Sequence, residues 1–213
     1  MNIALIGASG FIGSKILTEA LGRGHNVTGI VRDVSKLPKL AGFTPKHGDL
    51  LNIEDITNLI KDHDAVICSY NPGWTDPGIY EHQLAGGRSI IEAAKKSGVK
   101  RLFVVGGAGS LEAAPGIRLV DTPQFPQEYK NGALALAEVL YLLKKEDSLE
   151  WTFLSPSIVI EPGMRTGKFR LGTDQVLFND KGESKISVED YAVAVIDELE
   201  NPAHIRARFT VGY

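Results

Sequence analysis

The segment Gly7-Ala8-Ser9-Gly10-Phe11-Ile12-Gly13 follows directly on the apolar run Asn2–Ile6 and opens an amphipathic stretch, Phe11–Gly22. A strand that ends in G-x-x-G-x-x-G and leads into a helix leaves few options for the fold. The first glycine permits a tight turn, the second lets backbone approach a pyrophosphate, and the third lets helix and strand pack closely. Free N–H groups and the positive end of the helix dipole then face the phosphates. The loop formed by Gly7, Ser9, Gly10, Phe11, Ile12 and Gly13 is therefore expected to hold a dinucleotide.

The remaining chain supports a fold that can carry such a loop. Further β-branched runs read as strands at Val27–Val31, Ala65–Ser69, Arg101–Val105 and Trp151–Leu154, with a weaker one near Lys46–Gly48. They show no in/out alternation, as expected of strands in a parallel sheet covered on both faces. Amphipathic segments lie between them, near Ile53–Lys61, Gly78–Ser97 and Gln127–Lys145. This βαβ rhythm requires right-handed crossovers and predicts an α/β fold with a Rossmann-type, doubly wound parallel sheet. After residue 155 the rhythm breaks at Pro156, Pro162, Gly163, Gly167 and Gly172, before a helix near Val188–Glu200. The expectation is one domain over residues 1–213, with a cofactor-binding core at 1–155 and a small C-terminal subregion at 156–213 folded over the sheet to cover a substrate.

Charge and cysteine content exclude several classes. With 23 Lys+Arg against 26 Asp+Glu among 213 residues, the chain lacks the basic excess of a nucleic-acid binder. Its single cysteine, Cys68, forms no internal disulfide, and no Cys/His cluster has metal-site spacing, so no metal is expected. No apolar stretch reaches membrane-spanning length, and the N-terminus lacks the basic flank of a signal peptide, so a cytoplasmic location without membrane attachment is expected.

The end of the second strand bears on which dinucleotide is bound. Arg32 stands 19 residues after Gly13, near the spacing at which an acidic residue would hold an NAD ribose. A guanidinium there can grip a 2′-phosphate with two hydrogen bonds and also cover the adenine face. Asp33, one position on, can still serve a ribose, so NADP(H) is preferred and NAD(H) stays open. Gly48-Asp49-Leu50 closes the third strand; Asp49 or Asn52 can cap the next helix, while Asp49 and Leu50 can also line an adenine pocket.

The glycine loop, Val31-Arg32-Asp33, Gly48-Asp49-Leu50 and the closing Phe209-Thr210-Val211-Gly212-Tyr213 together resemble the atypical short-chain dehydrogenase/reductases. Within that group the chain is most similar to NADH-flavin reductases and to biliverdin-IXβ/flavin reductases, whose corresponding stretch is close to Val31–Pro38. The resemblance implies strand order 3-2-1-4-5-6, with the nicotinamide over the carboxyl ends of the later strands. It also implies that Ser69, Tyr70, Gly106, Gly107, Ser155 and Pro156 line the cofactor.

Catalytic members of that superfamily use Y-x-x-x-K on a helix, the tyrosine moving a proton and the lysine supporting it. Tyr129 lies near the start of the corresponding helix, but Ala133 stands where the lysine would be, and Lys130 is adjacent rather than facing. The literal match, Tyr141 and Lys145, falls at the far end of the helix, opposite the ligand crevice, and reads as helix surface. Ser110, after Gly106-Gly107-Ala108-Gly109, either reaches the site or caps a helix. Tyr129 and Ser110 are thus the catalytic candidates, without a complete proton relay. Trp74 and Tyr80 either stack on an aromatic acceptor or merely cover the site, in a loop whose Asn71-Pro72-Gly73 and Asp76-Pro77-Gly78 turns suit an active-site rim.

The function expected is hydride transfer from NADPH to FMN, a quinone or a similar small acceptor, which needs mainly positioning. A non-catalytic NADP(H)-binding sensor is the alternative. A sugar-nucleotide epimerase would require the missing lysine and a larger substrate domain. Oligomeric state is not legible.

Overall fold

The computed structural model describes residues 1–213, apart from the side chain of Lys36. The elements run β1 (Asn2–Ile6), α1 (Phe11–Gly22), β2 (Asn26–Val31), β3 (Phe43–His47), α2 (Ile53–Ile60), β4 (Ala65–Cys68), α3 (Ile79–Ser97) and β5 (Arg101–Val105). Then follow β6 (Glu112–Ala114), β7 (Ile117–Arg118), α4 (Gln127–Lys144), β8 (Glu150–Ser155), β9 (Val159–Glu161), β10 (Arg170–Gly172), β11 (Lys185–Ser187), α5 (Val188–Glu200) and β12 (Ala207–Gly212).

Eight strands form one sheet in the order β10-β12-β8-β5-β4-β1-β2-β3, parallel throughout except for β10 against β12. The first six parallel strands keep the order 3-2-1-4-5-6. Residues 156–213 do more than cover the sheet: β12 extends it in parallel beyond β8, and β10 closes its edge. The same stretch supplies α5 and the small β9–β11 pair.

Strand pleating explains the two cores. On β1, Ile3 and Leu5 enter a core with α1 and α5, joined by Phe103, Tyr191 and Phe209. Ala4 and Ile6 point the other way, into a core beneath α2, α3 and α4 with Trp151 and Phe153. Helix α5 begins at a Ser187 cap whose Oγ accepts from Asp190 N at 3.0 Å. Both cores are fully apolar at the centre, so every central strand reads as a continuous hydrophobic run.

The third strand departs from its expected place. It begins at Phe43 rather than Lys46, and Gly48 lies beyond it. Residues 43–47 pair with 27–31 of β2, but only Phe43 is buried. An edge strand that exposes Thr44, Pro45, Lys46 and His47 carries no apolar signal, and Pro45 is tolerated because one side of the strand is unpaired.

Candidate cofactor and acceptor site

A cavity of about 1100 Å³ opens at the carboxyl ends of the central strands, between the β1–α1 loop and the loops after β4, β5 and β8. Its shape follows from the glycine loop. Gly7 has φ +81°, and a Cβ there would lie 2.4 Å from the Ser69 carbonyl oxygen, so only glycine passes beneath the β4 terminus. At Gly13 a Cβ would lie 2.1 Å from Gly7 O. That contact, rather than any ligand, explains Gly13: it seats α1 on the loop and does not line the cavity, correcting its expected place among the cofactor contacts.

The first turn of α1 is left open for an anion. Gly10 stands at the N-cap, no side chain caps it, and the first turn holds no acidic residue. By contrast α2 and α5 each carry a side-chain cap and two acidic residues in the first turn. The N–H groups at the start of α1 therefore keep their partial positive charge for whatever enters the cavity.

Beside the loop, Arg32 at the end of β2 and Asp49 after β3 border the cavity, with Leu50 buried below. Asp49 combines both of its expected roles, since its Oδ1 accepts from Leu51 N at 3.0 Å while it lines the cavity; Asn52 caps α2 by accepting from Asp55 N at 3.2 Å. Asp33 turns to the short helix that follows, accepting from Ser35 N at 3.1 Å and Ser35 Oγ at 2.6 Å, and does not border the cavity. Ser69 and Tyr70 form the floor, where Gln83 Nε2 donates to Tyr70 O at 3.2 Å. Burial pushes the Tyr70 phenol above its ordinary range, the nearby Arg32 charge opposing the shift. Behind it, burial pushes the Cys68 thiol up to about 12, so it is an inert core group.

The far end is built differently. Gly106 and Gly107 line it as expected, together with Pro156. Trp74 and Tyr129 meet edge to face, with ring centroids 5.1 Å apart and planes at 82°. Tyr129 thus packs against the loop after β4, not the one after β5. The two rings are about half exposed, at 50% and 44%, and both face the cavity, whereas Tyr80 does not. Ala133 lines the wall one turn beyond Tyr129, so no lysine supports that phenol.

Two expected residues lie elsewhere. Ser110 faces away from the cavity, because the buried guanidinium of Arg208 draws on it: Nη1 donates to Ser110 O at 3.3 Å and Oγ at 3.4 Å. Ser155 is fully buried, because β8 continues through it and pairs it with Thr210, whose Oγ1 donates to Ser155 O at 2.9 Å. The next residue, Pro156, is the one that borders the cavity. Tyr141 and Lys145 are surface groups, Lys145 Nζ lying 3.9 Å above an exposed Tyr141 ring. Sequence reasoning missed Leu119, Thr122, Gln124 and Phe125, and also Ser157–Ile160, all of which line the acceptor end. Pro123 and Pro126 mark an irregular segment before α4, the one signal that could have pointed there.

The dinucleotide test is met on geometry: an uncapped helix start, a glycine cradle that admits no side chain, and a cavity large enough for an extended ligand. Among the described residues no helix is long and apolar enough to cross a membrane. The model of the NAD(P)H-binding family matches residues 7–202. The Bacillus subtilis protein YwnB, itself uncharacterized, is 46% identical, the match covering 99% of this chain and 98% of that one. A solved structure from Bacteroides thetaiotaomicron, described as a candidate epimerase, is 45% identical with TM-score 0.94, covering 100% of this chain and 96% of that one. Another from Streptococcus pneumoniae, described as a candidate NADH-flavin reductase, is 36% identical with TM-score 0.86, covering 100% and 99% of the two chains. The chain belongs to the NAD(P)H-binding family and is an atypical short-chain dehydrogenase/reductase.

Proposed function

We propose that the protein is an NADPH-preferring reductase that passes hydride to a flavin, a quinone or a similar small acceptor. The observation that carries this reading is a cavity with a complete dinucleotide cradle at one end and an aromatic wall without a proton relay at the other. Arg32 supports the preference for NADPH, since it borders the cavity where a 2′-phosphate would lie while Asp33 is engaged with Ser35. Gly7, Ser9, Gly10, Phe11 and Ile12 would hold the pyrophosphate, Asp49, Leu50 and Tyr70 the adenosine side, and Ser69, Gly106, Gly107 and Pro156 the nicotinamide side.

When bound, NADPH supplies a hydride, which carries two electrons to the acceptor, while a proton from water completes the reduction. The chain's own contribution is placement. Trp74 and Tyr129 would align a flat acceptor, and Leu136, Ile158 and Ile160 would exclude water around it. Tyr129 can donate a hydrogen bond to the acceptor without taking its proton. The resemblance to NADH-flavin reductases agrees with this chemistry.

A panel of NADPH and NADH against FMN, riboflavin, quinones and biliverdin tests the reading. Oxidation of NADPH, faster than of NADH, with at least one acceptor is the expected result. The absence of a supporting lysine at Ala133 also suits a cofactor-binding sensor, and tight NADPH binding with no oxidation by any acceptor would establish that second reading.

A further inference from the structure

The charges around the cavity are distributed unevenly. Among the described residues lining it, only Arg32 and Asp49 carry charge, and both lie on the β2–β3 side. The aromatic wall belongs to the β5–α4 side. Strands β2 and β5 are separated by β1 and β4, so three strand spacings put the two ends about 14 Å apart. The acceptor end is walled by Trp74, Leu119, Phe125, Tyr129, Leu136 and Ile158, none of which can neutralise an anion.

Its few polar groups point the same way. Thr122 Oγ1 already donates to Leu119 O at 2.8 Å. Gln124 is exposed at the cavity wall, and no described residue hydrogen-bonds its amide. One amide offers both a donor and an acceptor, which match the carbonyl and N–H edge of a flavin ring or the oxygen of a quinone. Around the rim, Arg118 is paired with Asp121 at 2.7 Å, and Glu128 in the first turn of α4 offsets Lys130. The α4 start therefore offers no net positive charge to a phosphate.

We propose that the acceptor is an uncharged planar aromatic, such as a dephosphorylated flavin or a neutral quinone, and that phosphorylated or sulfonated acceptors are discriminated against. This rests on the reading of the cavity's far end as an acceptor site. An anionic group drawn into that end loses hydration and gains no cation, whereas a neutral ring keeps the stacking and the Gln124 contact. Gln124 is the residue that reads the polar edge.

Binding separates this idea from the reductase reading. Protein loaded with NADP⁺, which cannot donate hydride, is titrated with riboflavin and with FMN, following flavin fluorescence. Riboflavin should bind at least about tenfold more tightly than FMN, and Gln124→Ala should weaken riboflavin severalfold. Gln124→Lys should reverse the preference, because a charge-assisted pair is worth about tenfold to a hundredfold in affinity. Equal or tighter binding of FMN by the wild type, or binding of neither flavin, overturns the proposal. Riboflavin preference without any oxidation of NADPH would sink the reductase reading while upholding the neutral site. Equal turnover and binding of FMN and riboflavin would do the reverse.

Discussion

The two ends of the cavity are made by different means. On the β1–β2 side, backbone does the work: a glycine loop that admits no Cβ, an uncapped helix start and one guanidinium, Arg32. On the β5–α4 side, side chains do it, through the Trp74–Tyr129 pair and the aliphatic wall of Leu119, Leu136 and Ile158. Backbone geometry fixes a shared ligand and tolerates little change. A wall of apolar side chains can be reshaped without refolding the sheet, so acceptor choice can diverge over a constant cofactor site.

The most severe way to break this contrast is at Gly13. Gly13→Ala sets a Cβ 2.1 Å from Gly7 O, so the loop must move away from α1. We expect NADPH affinity to fall at least about a hundredfold, the equivalent of losing two charged hydrogen bonds. Calorimetric titration alongside circular dichroism would check it. Wild-type affinity in the variant would show that the loop is not the phosphate cradle.

Arg32 sharpens the comparison within the cofactor end. Arg32→Glu replaces attraction with repulsion at the 2′-phosphate, so NADPH should weaken by about tenfold to a hundredfold. NADH, which lacks that phosphate, should change little. Equal weakening of both would move Arg32 onto the adenine.

At the acceptor end the corresponding change should be milder. General acid–base groups contribute roughly 10²–10⁴-fold, and a positioning phenol less, so Tyr129→Phe should lower kcat with flavin or quinone by no more than about tenfold. A loss of about three orders of magnitude, with NADPH affinity and Tm unchanged, would reveal a proton relay.

The smallest effect lies outside both ends, where Arg165 and Arg23 pin residues near the cavity rim onto α1. The Arg165 hydrogen bonds, with those of Arg23, hold the Glu19 carboxyl below its ordinary range despite burial. A depressed carboxyl stabilises the fold above its unfolded value near 4.3 and loses that contribution as pH falls through the folded value. Glu19→Gln should therefore cost about 1–2 kcal/mol at neutral pH. The gap in Tm from wild type should close below about pH 4 while cofactor preference stays intact. A gap that persists into acid would show that packing, not charge, holds Glu19.

The asymmetry also decides how much was legible in the residues alone. Backbone-built features leave signals in sequence, and so the glycine loop, Arg32 and the central strands were readable to within a residue or two. Side-chain direction leaves none. Ser110 and Ser155 sit beside cavity residues in the chain, yet one faces Arg208 and the other is enclosed by β12. The acceptor wall from Leu119 to Phe125 and from Ser157 to Ile160 comes from irregular segments brought together only by the folded sheet. The third strand was misplaced because a half-exposed edge carries no hydrophobic run.

The central claim is that cofactor held by the backbone-built end gives hydride to a neutral acceptor at the apolar end. A single-turnover experiment tests it directly: protein loaded with NADPH is mixed without oxygen against riboflavin or menadione. The account predicts that NADPH absorbance falls in one-to-one step with acceptor reduction, and more slowly when the transferred hydrogen is deuterium. Tightly held NADPH whose absorbance does not change with any acceptor would contradict it.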